Sequence, residues 1–242
     1  MKLPLIIPSL CHLCGLTIDS TMSHQLWCQH CQDQMTFQVK RCRCCGLQTE
    51  TQTVTCGQCL KSPPPWQRMY CLADYRYPLS TLIQQIKRQK RYWLLPPLAR
   101  MLRGLIPHPA PMMVTVPMNW HQYLLRGFNL SEVIAHEIAK STPQTQLMSD
   151  IFHKHSRTPR QKTLDKAARL RNVRHAFSLH QHPKAHHIAI IDDVVTTGAT
   201  VRHLSELLRE VGVEKIDIYC LCRTPNDSIK SPKPQVAHNT RK

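Results

Sequence analysis

The sequence predicts an α/β chain with a doubly wound parallel sheet and a small cysteine-rich module in front of it. Three observations carry the prediction. Residues 188–200 read Ile-Ala-Ile-Ile-Asp-Asp-Val-Val-Thr-Thr-Gly-Ala-Thr and run straight into an amphipathic pattern, Val201, Leu204, Leu207, Leu208 and Val211. From about residue 70 onward, short apolar runs alternate with helical periodicity. The first 60 residues hold four Cys-x-x-Cys pairs. Strands alternating with helices require crossover connections, and those build parallel sheets. Cysteine pairs at that spacing place two thiolates on one metal.

The pairs are Cys11/Cys14, Cys28/Cys31, Cys42/Cys45 and Cys56/Cys59, with 13 residues between the first two and 10 between the last two. Sequential pairing into two tetrahedral Zn²⁺ sites is the simplest arrangement, and an interleaved cross-brace satisfies the same spacing. Four ligands per ion leave no open position, so both zincs are expected to be structural. A segment of this size with so little apolar content needs metal to fold. Disulfides would require an oxidising compartment, and residues 1–10 carry too short an apolar run for a signal peptide. Four pairs in a Gln/Thr-rich segment do not match a thioredoxin-like redox motif. Cys44 reads as a spare thiol that could also replace Cys42 or Cys45, Cys71 has no partner nearby, and Cys220 and Cys222 alternate in phase with Ile216 and Ile218 as core residues.

The module is expected over 1–62, ending at Pro63-Pro64-Pro65, a stiff join. Residues 63–110 are read as linker and capping helices, with a short strand over 70–75. Two helices over 78–105 are interrupted at Pro96-Pro97. Residues 111–224 form the main domain: a strand over 112–118, a loop over 119–128, a helix over 129–140, a strand over 147–153 and a mobile loop over 154–170. A short strand over 176–179 follows, then a strand over 187–194, a helix over 199–211 closed by Gly212, and a strand over 215–223. The tail, 225–242, is read as disordered and basic.

The 188–200 segment carries the chemistry. An apolar run delivers Asp192 and Asp193 to the carboxyl edge of a strand, where carboxylates can accept hydrogen bonds from the vicinal diol of a ribose. Thr196, Thr197 and Thr200 offer hydroxyls. Gly198 permits positive φ, and with Ala199 it opens the helix whose free N–H groups favour phosphate. Together these describe a site for a ribose 5-phosphate. The segment is similar to the 5-phosphoribosyl-1-pyrophosphate (PRPP) loop of type I phosphoribosyltransferases. It lacks the Lys of a nucleoside-triphosphate P-loop.

The chain has 32 Lys and Arg against 15 Asp and Glu, a net charge of +17. Residues 154–187 hold nine Lys/Arg against one acid, Asp165. Such a field favours polyanions: pyrophosphate, nucleic acid or an acidic membrane surface. Trp66, Tyr70, Tyr92 and Trp93 lie near basic residues and are candidate stacking groups for single-stranded DNA. Seven of the fifteen His fall between 153 and 187 without ligand spacing, and they are read as surface residues. No apolar run approaches the ~20 residues of a transmembrane helix. The chain is expected in the cytoplasm, its charge allowing a peripheral position at the inner membrane.

The order of parts resembles the ComF family, in which a cysteine-rich zinc module precedes a type I phosphoribosyltransferase domain. The resemblance spans roughly residues 10–224. Beyond the loop and the cysteines it includes Lys87 after Leu82-Ile83, and Val116-Pro117 leading to Arg126-Gly127-Phe128-Asn129. It continues through Arg157-Thr158 before Gln161, then Arg169 before Asn172-Val173 and Phe177. The family usually carries Gln where this chain has Leu130, and the His-rich 180–187 connector is unusual.

The resemblance implies a type I phosphoribosyltransferase-like fold. Asp192, Asp193, Thr196, Thr197, Gly198, Ala199 and Thr200 would hold the ribose and 5-phosphate of PRPP. Mg²⁺ would bridge its hydroxyls and pyrophosphate, and Arg126, Arg157, Arg160 and Lys162 would stabilise the pyrophosphate. It further implies a role in DNA uptake or utilisation, with single-stranded DNA and competence proteins as partners. The other reading is an active transferase moving the ribosyl-5-phosphate to an unidentified nitrogenous acceptor. A glutamine amidotransferase is not expected, since residue 2 is Lys where such an enzyme has a Cys nucleophile and the N-terminal module is a cysteine-rich zinc unit.

Overall fold

The computed structural model describes residues 9–18, 26–35, 39–155 and 176–225. Arg157, Arg160, Lys162, most of the 154–170 segment and nearly all of the tail lie outside the described residues. Among those described, no helix is long and apolar enough to cross a membrane.

Two short helices belong to the cysteine-rich part, α1 (Gln29–Met35) and α2 (Gly57–Lys61). The main body then runs β1 (Arg68–Asp74), α3 (Leu79–Gln89), α4 (Leu95–Gly104), β2 (Met112–Thr115), α5 (Trp120–Arg126), α6 (Leu130–Lys140) and β3 (Gln146–Met148). It continues through β4 (Phe152–Lys154), β5 (Phe177–Leu179), β6 (His187–Val195), α7 (Ala199–Glu210) and β7 (Lys215–Arg223).

Five strands form one parallel sheet in the order β1-β7-β6-β2-β3. Its central strands are buried on both faces, which is why β6 and β7 read as continuous apolar runs rather than alternating ones. Ala189, Ile191, Tyr219 and Leu221 join one core layer with α3, α4 and α6. Ile188, Ile190, Ile216, Ile218 and Cys220 join the other, with Val201, Leu204 and Leu208 of α7. The small β4-β5 hairpin pairing lies in this second layer through Phe152 and Phe177.

Helices lie on both faces, so the chain winds outward in two directions. From β2 it passes through α6 to β3; from β6 it passes through α7 to β7. The reversal falls between β6 and β2, and a crevice opens there at the carboxyl ends of the strands.

Local chemistry explains most of the boundaries. Pro96 and Pro97 do not break a helix; they start α4, where a missing N–H costs nothing. The break falls earlier, at Lys90, whose φ of 56° closes α3. The segment 63–110, expected as linker and caps with a short strand over 70–75, supplies the sheet's edge strand β1, hydrogen-bonded along β7. The run 147–153, expected as one strand, splits. Met148 ends β3, which pairs with β2, and Phe152 opens β4, which pairs antiparallel with β5.

The stretch 119–128, expected as a loop, holds α5. Asn119 caps it by accepting from His121 N at 3.0 Å, and Gly127 ends it at φ 83°. No residue of α5 is buried, so its apolar residues follow no helical stripe and the pattern gave no signal. One of the seven histidines read as surface groups, His187, does not lie there, and His203, outside that run, is covered as well. His187 is half-buried, with Nε2 2.9 Å from the buried Asp217 carboxylate, and His203 is buried beside Phe177 O.

Candidate functional site

The crevice is built from two loops. Pairing of β6 with β2 stops at Ile191, with Val116 N donating to Ile191 O at 3.0 Å. On its other side β6 stays paired to β7 as far as Val195. Asp192 and Asp193 therefore lie within the strand rather than past its end, at the point where the β2 side has opened. Both are half-buried. Asp193 N donates to Asp192 Oδ1 at 2.8 Å.

Two lysines face this pair. Lys87 Nζ, near the end of α3, lies 2.7 Å from Asp193 Oδ2. Lys154, at the end of β4, lies over the Phe177 ring at 5.4 Å and is electrostatically coupled to Asp192. Burial pushes the Asp192 carboxyl up to about 8; the Asp193 charge pushes the same way, while the Asp193 amide and the two lysines oppose it. Burial in turn pulls the Lys154 ammonium below its ordinary range, with Asp192 opposing. The site thus holds a carboxyl poised to titrate near neutrality beside one fixed as an ion pair. Lys87 was legible only as a residue of the family pattern; no local signal in the sequence assigned it to this loop.

The loop turns at Thr196, Thr197 and Gly198. Gly198 has φ 83° and, as the N-cap residue of α7, has no side chain with which to cap it. Thr197 Oγ1 accepts from Ala199 N at 3.3 Å. Thr196 and Thr197 are exposed, while Gly198, Ala199 and Thr200 are half-covered. Five of the seven loop residues singled out in the sequence, Thr196 to Thr200, run unbroken into the start of α7, and Asp192 and Asp193 stand before them in β6 across Val194 and Val195; a helix start favours anions.

The second wall follows β2. Asn129 caps α6 by accepting from Ser131 N at 3.1 Å, and its amide also donates to Val116 O at 3.0 Å. Phe128 meets the Tyr92 ring edge-on at 4.2 Å, and Tyr92 OH donates to Arg126 O at 2.9 Å. The Arg-Gly-Phe-Asn run therefore serves as a brace: cap, turn, ring contact and anchor. Arg126 is the last residue of α5, on the wall that follows β2. Leu130, where the related pattern has Gln, is 1% exposed and packs in the core with Ile134 and Ile138.

The cysteines gather as two sequential sets, Cys11/Cys14/Cys28/Cys31 and Cys42/Cys45/Cys56/Cys59, each with its sulfurs within 4.8 Å of one another. Tetrahedral Zn–S bonds of about 2.3 Å would set sulfurs about 3.8 Å apart. Cys14 and Cys28 are 3.8 Å apart, and Cys45 and Cys56 are 3.7 Å apart, so the donor sets fit such an ion. Each set contains a knuckle of the same form: Gly15 N bonds Cys11 O in the first and Gly46 N bonds Cys42 O in the second, with φ 72° at both glycines. Cys44 stays outside the second set, buried against Trp66 O.

The second cysteine set is wired to the loop. Arg223, buried at the end of β7, donates to Cys45 O at 3.0 Å, to Val195 O at 3.0 Å and to Thr196 O. Trp66, 6% exposed, donates from Nε1 to Cys44 O at 2.7 Å, and a Cβ added at Gly198 would stand 3.7 Å from its ring. Trp66 is thus a packing residue rather than a stacking surface. Tyr92 is engaged with Arg126 and Phe128, Tyr70 is half-buried, and Trp93 is 54% exposed.

Comparison with known proteins places these parts. The phosphoribosyl transferase domain family matches residues 124–239. The DNA utilization protein YhgH of Escherichia coli (strain K12) is 33% identical over 228 residues, covering 91% of this chain and 99% of the relative. Its counterpart in Salmonella typhi is 35% identical over the same length. Competence protein F of Haemophilus influenzae is 31% identical over 208 residues, 81% of this chain and 90% of that protein. A solved purine phosphoribosyltransferase from Pyrococcus horikoshii Ot3 gives a TM-score of 0.36 at 16% identity, covering 57% of this chain and 79% of its own.

Proposed function

The chain belongs to the ComF family, that of DNA utilization protein YhgH and competence protein F, and we propose that it binds PRPP, or a closely related sugar phosphate, while handling single-stranded DNA during its uptake or utilisation. The observation that carries the PRPP half is the loop at the sheet's reversal: two carboxylates, one held by Lys87, ahead of an uncapped helix start. Asp192 and Asp193 take the ribose hydroxyls, and Thr196 to Thr200 take the 5-phosphate. Arg126 faces the pyrophosphate, joined by Arg157, Arg160 or Lys162 from outside the described residues. Mg²⁺, a hard cation suited to oxygen ligands, would neutralise pyrophosphate charge when PRPP is bound. The two cysteine sets each hold a structural Zn²⁺, and the 1–62 module is the unit those ions fold. The DNA half rests on the net charge of +17 and on what the relatives are named for.

A second reading is an active transferase that passes the ribosyl-5-phosphate to a nitrogenous acceptor and releases pyrophosphate. The intact loop favours it. Such a reaction runs through an oxocarbenium-like state, so neutralising the leaving group and excluding water matter more than a protein nucleophile. One experiment separates the two. Calorimetry with PRPP and Mg²⁺ is followed by ³¹P NMR with bases and ammonia. Saturable binding without pyrophosphate release, lost in Asp192→Asn/Asp193→Asn, supports the binding protein. Release that vanishes in the same variant supports the transferase, and no PRPP binding by the wild type overturns both.

A further inference from the structure

A second site lies away from the crevice, at the amino end of β1. There the second cysteine knuckle packs on the sheet edge: Met69 N donates to Arg43 O at 2.9 Å, and a Cβ on Gly46 would stand 2.9 Å from Met69 Sδ. The junction leaves a cleft of about 400 Å³, walled by Arg41 and Arg43 from the knuckle, Gln52, Arg68 and Tyr70 from β1, and Leu105 beyond α4. Three arginines line it and no acid does. Arg41 is neutralised, with Nη1 2.6 Å from Asp74 Oδ1. Arg68 donates only to Tyr70 OH, at 3.4 Å. The Arg43 guanidinium meets no acceptor among the described residues.

Two exposed arginines therefore line one concavity, Arg43 with no acid beside it among the described residues and Arg68 with only the buried Asp217 carboxylate as a counter-charge. Their backbones are held: Arg43 N bonds Thr53 O at 2.9 Å, and Arg68 sits in β1 opposite Asp217. Like charges lining one cleft raise the local positive potential, and an anion relieves it. Tyr70 adds a half-buried ring, its inner side held edge-on by Tyr219 at 5.5 Å. Phosphate-binding cations beside an aromatic ring are the elements of single-strand recognition.

Resting on the DNA-handling reading above, we propose that this cleft is a contact surface for single-stranded DNA, in which Arg43 and Arg68 hold backbone phosphates and Tyr70 supports a base. The cysteine knuckle then has a role besides stability, because it supplies one wall and one of the two exposed arginines. The site is distinct from the loop: Arg68 opens β1 at one end of the parallel sheet, and residues 192–200 lie at the other.

The test is fluorescence anisotropy of labelled oligodeoxythymidylate with the full zinc-loaded protein across a salt series. Each phosphate contact on a single strand contributes about 0.7 to the slope of log K against log salt. Arg43→Gln/Arg68→Gln is expected to flatten the slope by about 1.4 while leaving PRPP binding by calorimetry and zinc content unchanged. Arg88→Gln, an exposed charge on α3 outside the cleft, is expected to leave the slope as it is. A wild-type slope in the double variant, or an equal change per charge in Arg88→Gln, overturns the cleft while leaving DNA handling standing. No binding of the oligonucleotide by the wild type removes both.

Discussion

Lys87 and Asp193, far apart in the chain, meet at 2.7 Å between Nζ and Oδ2, both largely covered. The pair neutralises one of two adjacent carboxylates and leaves Asp192 as the one without a direct ion pair. Lys87→Met leaves two adjacent carboxylates with one fewer cation. Removing one partner of a buried pair is costly because the other charge stays behind. The expected loss is about 1–3 kcal/mol at pH 8 and less at pH 5, read by urea unfolding at the two values. Equal losses at both would show that the ammonium does not act through the carboxylates.

Asp192 sets a pH dependence whose sign follows from its raised pKa. In the unfolded chain it titrates near 4; in the fold, burial holds its proton up to about 8. Between those values the folded state binds the extra proton, so the unliganded protein loses stability as pH rises through that window. Asp193, Lys87, Lys154 and Cys220 are the groups that face it. Melting curves from pH 5 to pH 8.5 in Asp192→Asn are expected to be flatter than in the wild type; parallel curves would assign the dependence elsewhere.

Gly198 lies at φ 83° with Trp66 at ordinary contact distance from an added Cβ. The cost of Gly198→Ala is therefore conformational rather than steric, about 1–2 kcal/mol. The same change draws the loop away from the shape that starts α7. PRPP affinity is expected to fall at least tenfold, measured by calorimetry, while zinc content stays at two per chain. Unchanged affinity would mean that the loop does not need its left-handed turn to hold phosphate.

Arg223 makes the second cysteine set felt in the loop, because its guanidinium spans Cys45 O and the carbonyls of Val195 and Thr196. Arg223→Met leaves those acceptors without their donor, a loss of about 1–3 kcal/mol. Hydrogen exchange at residues 193–200 is expected to speed up in this variant, and also in wild type stripped of metal by a chelator. Exchange that changes in one and not the other would separate the brace from the metal.

Much of the fold was open to reading because it rests on local periodicity. The 188–200 run, the amphipathic face of α7 and the eight paired cysteines are recognisable from residue type and spacing. Three features did not. The run 147–153 splits because a short apolar stretch does not say which strand it will pair with. Residues 119–128 hide a helix because no face of α5 is buried. Trp66 reads as a stacking group until its surroundings are known, because an aromatic near basic residues serves as well in a core as on a surface.

By itself, the sequence determined the chemical vocabulary of this protein: paired aspartates before a threonine-glycine turn, and thiolates two by two. These are short-range facts, set by backbone geometry within a few residues. Only the tertiary structure decided how the words combine. It grouped the cysteines as sequential sets, brought Lys87 to Asp193, and tied Cys45 through Arg223 to the loop. Those relationships depend on the order of strands in the sheet, which no local pattern encodes because burial of the whole core selects it. The 188–200 loop therefore carries the residues on which a ribose-phosphate ligand is proposed, and the packing around it determines how firmly the loop is held.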